Sequence, residues 1–409
     1  METRKFLFKF YIIVNIVAFI FYSLGYINSK PINGSENISI LFYIINIILL
    51  ISSLYIILKI FTLMEKNITI NPLKYNLENT NFIGLIILLI QIVYLYTFLT
   101  QGGSVAGEKD NLGGGIFGLV MATFQIQTLS LLYIISKEKT GYICKAILFL
   151  FLLTSILQGW TSWILTFAVL YLFIQEDKGK IKSFFKVSVI AMVLLIIFYP
   201  IIYFLRLTIR IMGTQEVSFE EIELIQTYGN NNLIDFVLYT YNKVLERFEQ
   251  YYLSLGSLIH HDKIATAYNN GEITPFYFEG VGKIFIHETY SMGNYLPSLF
   301  YNDALLGEYF WNISPGFISL FYTESLSILF ILPYYIFLIL LIIMILKLIK
   351  APSLAYHFVF FNLITLLFTG WFSQFSYFVW TFIILFILVQ TVGFIKHMLI
   401  SISKQGKLI

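Results

Sequence analysis

Apolar residues run through this chain in blocks close to the length that crosses a bilayer. The blocks lie at about 6–26, 38–61, 82–99, 115–135, 143–157, 160–175, 184–205, 316–346, 354–371 and 377–395. About 20 apolar residues in a helix cover roughly 30 Å of hydrocarbon, and the helix satisfies its own backbone polar groups there. The pattern predicts an all-α polytopic membrane protein with about ten membrane segments. One stretch departs from it. From Arg206 to Pro315, polar and aromatic residues replace the blocks. The chain thus divides into residues 1–205 with about seven segments, a large loop at 206–315, and residues 316–409 with about three segments.

Composition agrees. The chain is 58% hydrophobic and 12% charged, about half the charge of a soluble domain. Its single cysteine, Cys144, excludes an internal disulfide and reads as an apolar filler inside a span. No Cys/His spacing points to a metal, so neither metal nor cofactor is expected. The first block follows Arg4, Lys5 and Lys9 without a small-residue cleavage site, and reads as an uncleaved first span.

Orientation turns on residues 143–175, where only Gln158 and Gly159 interrupt the apolar run. One helix would be about 48 Å long. Two helices would be short spans or a re-entrant hairpin. With a hairpin and a cytoplasmic N-terminus, 18 of the 26 basic residues fall inside. They are Arg4, Lys5, Lys9, Lys59, Lys66, Lys74, Lys137, Lys139, Lys145, Lys178, Lys180, Lys182, Lys186, Lys347, Lys350, Lys396, Lys404 and Lys407. That positive-inside distribution puts both termini in the cytoplasm and the 206–315 loop outside.

The loop carries signs of order. Ser218-Phe219-Glu220-Glu221 has the spacing of a helix capping box. Ile234, Val237, Tyr241, Val244, Phe248, Tyr251 and Leu255 recur in steps of three and four and predict one amphipathic helix. Such a helix is expected on the surface of the membrane domain or in the headgroup layer. The loop is expected to be mostly helical. Its 13 acids against five bases between 207 and 315 exclude a continuous grip on a polyanion, nucleic acid included.

Three groups of residues there could carry chemistry. Arg206 and Arg210 share a helix face at the exit of a span, and Arg247 lies at the edge of the amphipathic stripe. Arginine holds phosphate bidentately and stays charged, although snorkelling to headgroups accounts for Arg206 equally well. The second group is acid and base: His260, His261, Asp262, His287, Glu288, Asp303, Glu308 and Glu324. Glu324 stands out because it falls inside the block 316–346, where a carboxylate must face a polar cavity or a partner. The third group is aromatic and includes Tyr251, Tyr252, Tyr268, Phe276, Tyr290 and Trp311. Such rings stack on sugars, and interfacial belts use the same residues. The glycine-dense segment 101–115 reads as a flexible turn or as a flap over phosphate, and matches no P-loop.

The layout resembles the O-antigen polymerase (Wzy) family, in the superfamily that also holds the O-antigen ligases. The likeness covers most of the chain as architecture: about ten segments, both ends inside, one large late loop. Locally, Leu157-Gln158-Gly159-Trp160-Thr161-Ser162 resembles a small-and-polar turn of these proteins, without the arginine often found in it. Arg210 and Arg247, with Gly256 downstream, resemble the arginine–glycine pattern of the polymerase loops. Asn312-Ile313-Ser314-Pro315-Gly316 followed by Tyr322 resembles the return into the next span.

The resemblance implies a metal-independent glycosyltransferase of the membrane-embedded GT-C type in the bacterial inner membrane, with the loop periplasmic. Its donor and acceptor would be undecaprenyl-pyrophosphate-linked glycans, and membrane lipid, a chain-length regulator and a flippase would be its partners. Arg210 and Arg247 are then expected on the pyrophosphate, with Arg206 assisting. His287, Glu288 or Glu324 would deprotonate the acceptor hydroxyl. Tyr251, Tyr252 and Asn312 are expected to bind substrate. An O-antigen ligase would use the same donor on lipid A core. From a different class, a lipid-linked oligosaccharide flippase would show inverted repeats and broken helices.

Overall fold

A computed structural model of the chain describes residues 2–24, 32–33, 39–75, 81–101, 125–137, 141–158, 162–179, 199–201, 203–204, 245, 248–280, 282, 289–301, 313–323 and 327–405. The described residues are almost all helical. In chain order the helices are α1 (Glu2–Ser23), α2 (Ile40–Asn67), α3 (Asn81–Gln101), α4 (Ile126–Ile135), α5 (Tyr142–Leu157) and α6 (Ser162–Asp177). Then come α7 (Tyr251–Ile259), α8 (His261–Asn269), α9 (Met292–Phe300), a 3-10 segment (Phe317–Tyr322), α10 (Ser327–Leu348) and α11 (Ser353–Asn362). A π-helical turn (Leu363–Phe368) and α12 (Phe372–Gln405) complete the set.

Among the described residues five helices, α1, α2, α3, α10 and α12, are long and apolar enough to cross a membrane. α4, α5 and the run from α11 through the π turn are apolar but shorter. The bundle turns apolar side chains outward, as a lipid solvent allows: Leu89, Phe149, Phe330 and Ile387 are each more than half exposed. Its interior is aromatic. Tyr335 and Phe317 lie 5.4 Å apart edge to face, and Phe317 meets Phe368 at the same distance. These features support an all-α membrane protein.

The pair at 143–175 consists of two helices. Gln158 caps α5, and Gln127 Nε2 donates to its Oε1 at 2.7 Å. Ile143, at the start of α5, packs against Gly84 at the start of α3. At the end of α6, Glu176 accepts from the backbone N–H groups of Glu2 and Thr3. The pair therefore doubles back, each arm about 24 Å long.

Two expectations are overturned. The block 316–346 is not one helix. Gly316 has φ +84° and ψ 151°, outside the helical region, and Phe317–Tyr322 is a 3-10 segment, distinct from the α-helix Ser327–Leu348. Nor do the residues up to Leu255 form one amphipathic helix through Phe248. The helix begins at Tyr251, and Asn15 of α1 occupies the break: its Nδ2 donates to Phe248 O at 2.9 Å and its Oδ1 accepts from Gln250 N–H at 2.9 Å. α7 packs between α1 and α2, inside the bundle and not on its surface.

The end of the bundle that holds the start of α1 is tied by charge. Arg4 forms a two-pronged pair with Glu65 of α2, its Nη2 meeting Oε1 at 3.0 Å. Its Nε–H donates to Nδ1 of His357 on α11 at 2.9 Å. The guanidinium lies over Phe61 and Phe360, 5.4 and 5.1 Å from the ring centres. With one partner removed, a buried pair of this kind leaves an uncompensated charge.

Candidate functional site

The far end is built differently. Three breaks in helical backbone meet there: Phe248–Gln250 before α7, Pro315–Gly316 before the 3-10 segment, and Thr369–Gly370 between the π turn and α12. Gly316 N–H donates to Thr369 O at 3.3 Å, and both glycines have positive φ. A Cβ on Gly370 would fall 2.4 Å from Gly316 N, so two backbones touch where no side chain fits. Broken backbone at such depth survives only where protein or a lined cavity satisfies it.

Two asparagines supply most of that satisfaction. Asn15 is thirteen residues into α1, roughly 20 Å along its axis. Asn46 of α2 donates through Nδ2 to Tyr251 O and to Ser254 Oγ, both at 3.0 Å, while Tyr322 O–H donates to its Oδ1 at 3.3 Å. Glu249 Oε1 accepts from Tyr252 N–H at 2.8 Å, which caps the inserted helix. Tyr11 O–H reaches Phe368 O at 3.3 Å. Amide and hydroxyl groups of Asn15, Asn46, Tyr11 and Tyr322, with the one carboxylate of Glu249, thus fix the start of α7 within the bundle.

Above the junction, residues 260–280, 282 and 289–301 make a cap on α7. Gly256 allows α7 to press on α9, since a Cβ there would stand 2.9 Å from Phe300. Glu272–Thr274 pairs with Tyr290 through backbone bonds of 2.8 Å. The cap is fastened to α12 by Glu279, a buried carboxylate that accepts from Met292 N–H at 3.2 Å and from the Ser373 hydroxyl. Ser373 lies in the first turn of α12, where the helix dipole favours a negative charge. His260 is buried, its Nε2 2.9 Å from Asn33 O and its ring stacked on Phe300. Burial pushes His260 below the ordinary histidine value, the Asn33 carbonyl opposes that, and Lys263 adds to it. His261 turns to the surface beside Asp262, so the adjacent histidines do not act as a ligand pair. Among the described residues no three His, Cys, Asp or Glu side chains cluster to hold a metal.

An open cleft of about 350 Å³ lies on the cap, lined by Asp262, Lys263, Thr266, Ala267, Glu272, Tyr295 and Leu299. Tyr295 O–H donates to Glu272 Oε2 at 3.2 Å. Burial raises the Tyr295 phenol above its ordinary value, and the Glu272 carboxylate adds to the rise.

No protein-family model, curated protein or solved structure matches this chain. The site must be judged on its own residues.

Of the residues singled out by sequence, Arg206, Arg210, Arg247, His287, Glu288, Asn312 and Glu324 lie outside the described residues. Tyr251 and Tyr252 lie within them, and both rings are buried. Tyr251 O–H donates to Tyr43 O at 3.2 Å, and Tyr252 accepts from Ile32 N–H at 2.7 Å while stacking 4.4 Å from Tyr22. Both hydroxyls are used to hold α7, not turned to an open surface. Sequence reading passed over Asn15, Asn46, Glu279 and His357. The first two had a readable signal, an amide inside an apolar block, which must find a partner.

Proposed function

We propose that the protein is a membrane glycosyltransferase that polymerises undecaprenyl-pyrophosphate-linked repeat units into a surface polysaccharide. In this reading the end holding Arg4 faces the cytoplasm and the cap lies on the periplasmic side. The observation that carries the reading is the insertion of α7: Asn15 and Asn46 hold Phe248, Gln250 and Tyr251 inside the bundle. Arg247 is the next residue in the chain before Phe248. Arg247 is the proposed ligand of the pyrophosphate, and its charge would stabilise the departing diphosphate without a metal. Arg210 is the second proposed pyrophosphate ligand, with Arg206 assisting. His287, Glu288 and Glu324 are the proposed bases.

The broken backbone at Gly316 and Gly370 favours one rival, a flippase for the same lipid-linked glycan, because transporters place such breaks at their substrate sites. The glycan of a deletion strain separates the two. A polymerase deletion leaves lipid A capped with single repeat units, and Arg210→Ala and Arg247→Ala copy it while inserting normally. Loss of single-unit capping favours the flippase or a ligase. Full-length ladders in both arginine variants sink the pyrophosphate role.

A further inference from the structure

We propose that Arg4, His357 and Asp177 form a proton-operated latch, which fastens α1 to α6 and α11 while His357 is neutral and opens when His357 gains a proton. The geometry carries it. Arg4 Nε–H donates to Nδ1 of His357 at 2.9 Å, so that nitrogen must offer a lone pair. The ring proton then sits on Nε2, which faces Asp177 Oδ1 at 3.4 Å. The imidazole lies flat on Phe173, 4.3 Å away and 4° from parallel, a packing that opposes the ring turn needed to carry Nδ1 away from Arg4. A proton on Nδ1 sets two donors head to head and two cations side by side.

The groups facing the ring from the packed helices are few. α1 supplies Arg4, α2 supplies Glu65 behind the guanidinium, and α6 supplies Asp177. Lys347 of α10 and Lys137, just past α4, are turned onto the rings of Tyr356 and Tyr133. Arg4 and His357 are buried, whereas the Asp177 side chain is 38% exposed and accepts from the Ser353 hydroxyl at 2.8 Å. Among the described residues Asp177 is thus the one water-accessible partner of the ring, and its charge favours the imidazolium. The far end of the same helical run, through the π turn to Gly370, abuts Gly316. Opening the latch frees the near end of the rod on which the cap junction rests.

Amide hydrogen exchange on the full-length protein in detergent tests this. The ratio of wild-type to His357→Gln exchange at each pH cancels the intrinsic pH dependence, because glutamine accepts from Arg4 and donates to Asp177 without titrating. In peptides covering 2–8 and 353–360 the ratio is expected near one at about pH 7.5. It should rise about tenfold by about pH 5.5, the size of one hydrogen bond to a charged group. Asp177→Asn, which keeps the hydrogen bonds and removes the charge favouring imidazolium, should move the rise to lower pH. A ratio flat across this range, or a rise that Asp177→Asn leaves in place, overturns the latch. If His357→Gln fails to insert, the Asp177→Asn comparison with wild type decides alone.

Discussion

Arg4 and Asn15 stand on the same helix, eleven residues apart, and hold their neighbours by different chemistry. Arg4, itself buried, uses a part-buried ion pair to Glu65 and a hydrogen bond to His357. Asn15 uses neutral amide groups to grip broken backbone at Phe248 and Gln250. A charged tie is strong while complete and expensive when one partner is lost or titrated. An amide tie satisfies backbone and leaves the local charge unchanged. The bundle is clamped by charge at one end and seated by hydrogen bonds at the other.

Arg4→Ala leaves the part-buried Glu65 without its guanidinium and His357 without its donor, and should lower stability by about 3 kcal/mol, the low end for an ion pair that has lost one partner. Thermal unfolding in detergent measures this, and the Arg4→Ala/Glu65→Ala double variant should recover part of the loss. At the other end, Asn15→Leu strands Phe248 O and Gln250 N–H, at about 1–3 kcal/mol for each group left unsatisfied. Faster amide exchange across 251–259, with 353–360 unaffected, would show that the two ends are independent. Gly370→Ala forces a Cβ onto Gly316 N and a non-glycine residue to φ +86°, a cost of more than about 1 kcal/mol. Its unfolding should match that of Gly316→Ala if the two glycines form one contact.

Much of this was legible in sequence, for reasons visible at particular residues. Apolar blocks find helices because lipid demands them, and α1, α2, α3 and α12 lie where their blocks lie. The interruption read at Gln158 marked the end of α5. Periodicity failed at Phe248 because nothing local distinguishes a helix that continues from one cut by Asn15, 233 residues away in the chain. The block 316–346 hid its break for a related reason: Phe317 to Phe321 is apolar enough to read as span, and only the close contact with Gly370 fixes Gly316 outside the helical region. His357 went unremarked because its meaning depends on Arg4, Asp177 and Phe173, from two other helices.

The smallest effects sharpen the comparison by pH and by single hydroxyls. His260 has a folded value below its unfolded one, so its contribution to stability is whole above about pH 6.5 and is lost as pH falls through the folded value. His260→Gln should therefore flatten part of the acid loss of unfolding temperature, and should do so without changing exchange in residues 2–8. Tyr252→Phe removes the acceptor for Ile32 N–H and should cost about 1 kcal/mol in the same unfolding assay.

The proposed polymerisation of lipid-linked glycan is open to direct measurement. Purified protein in liposomes supplied with an undecaprenyl-pyrophosphate-linked repeat unit tests it directly, by following the lipid and the glycan together. The account expects release of undecaprenyl pyrophosphate in step with glycans of two or more units, and loss of both with Arg247→Ala. Movement of the repeat unit across the bilayer with no growth of the glycan and no diphosphate released would contradict it.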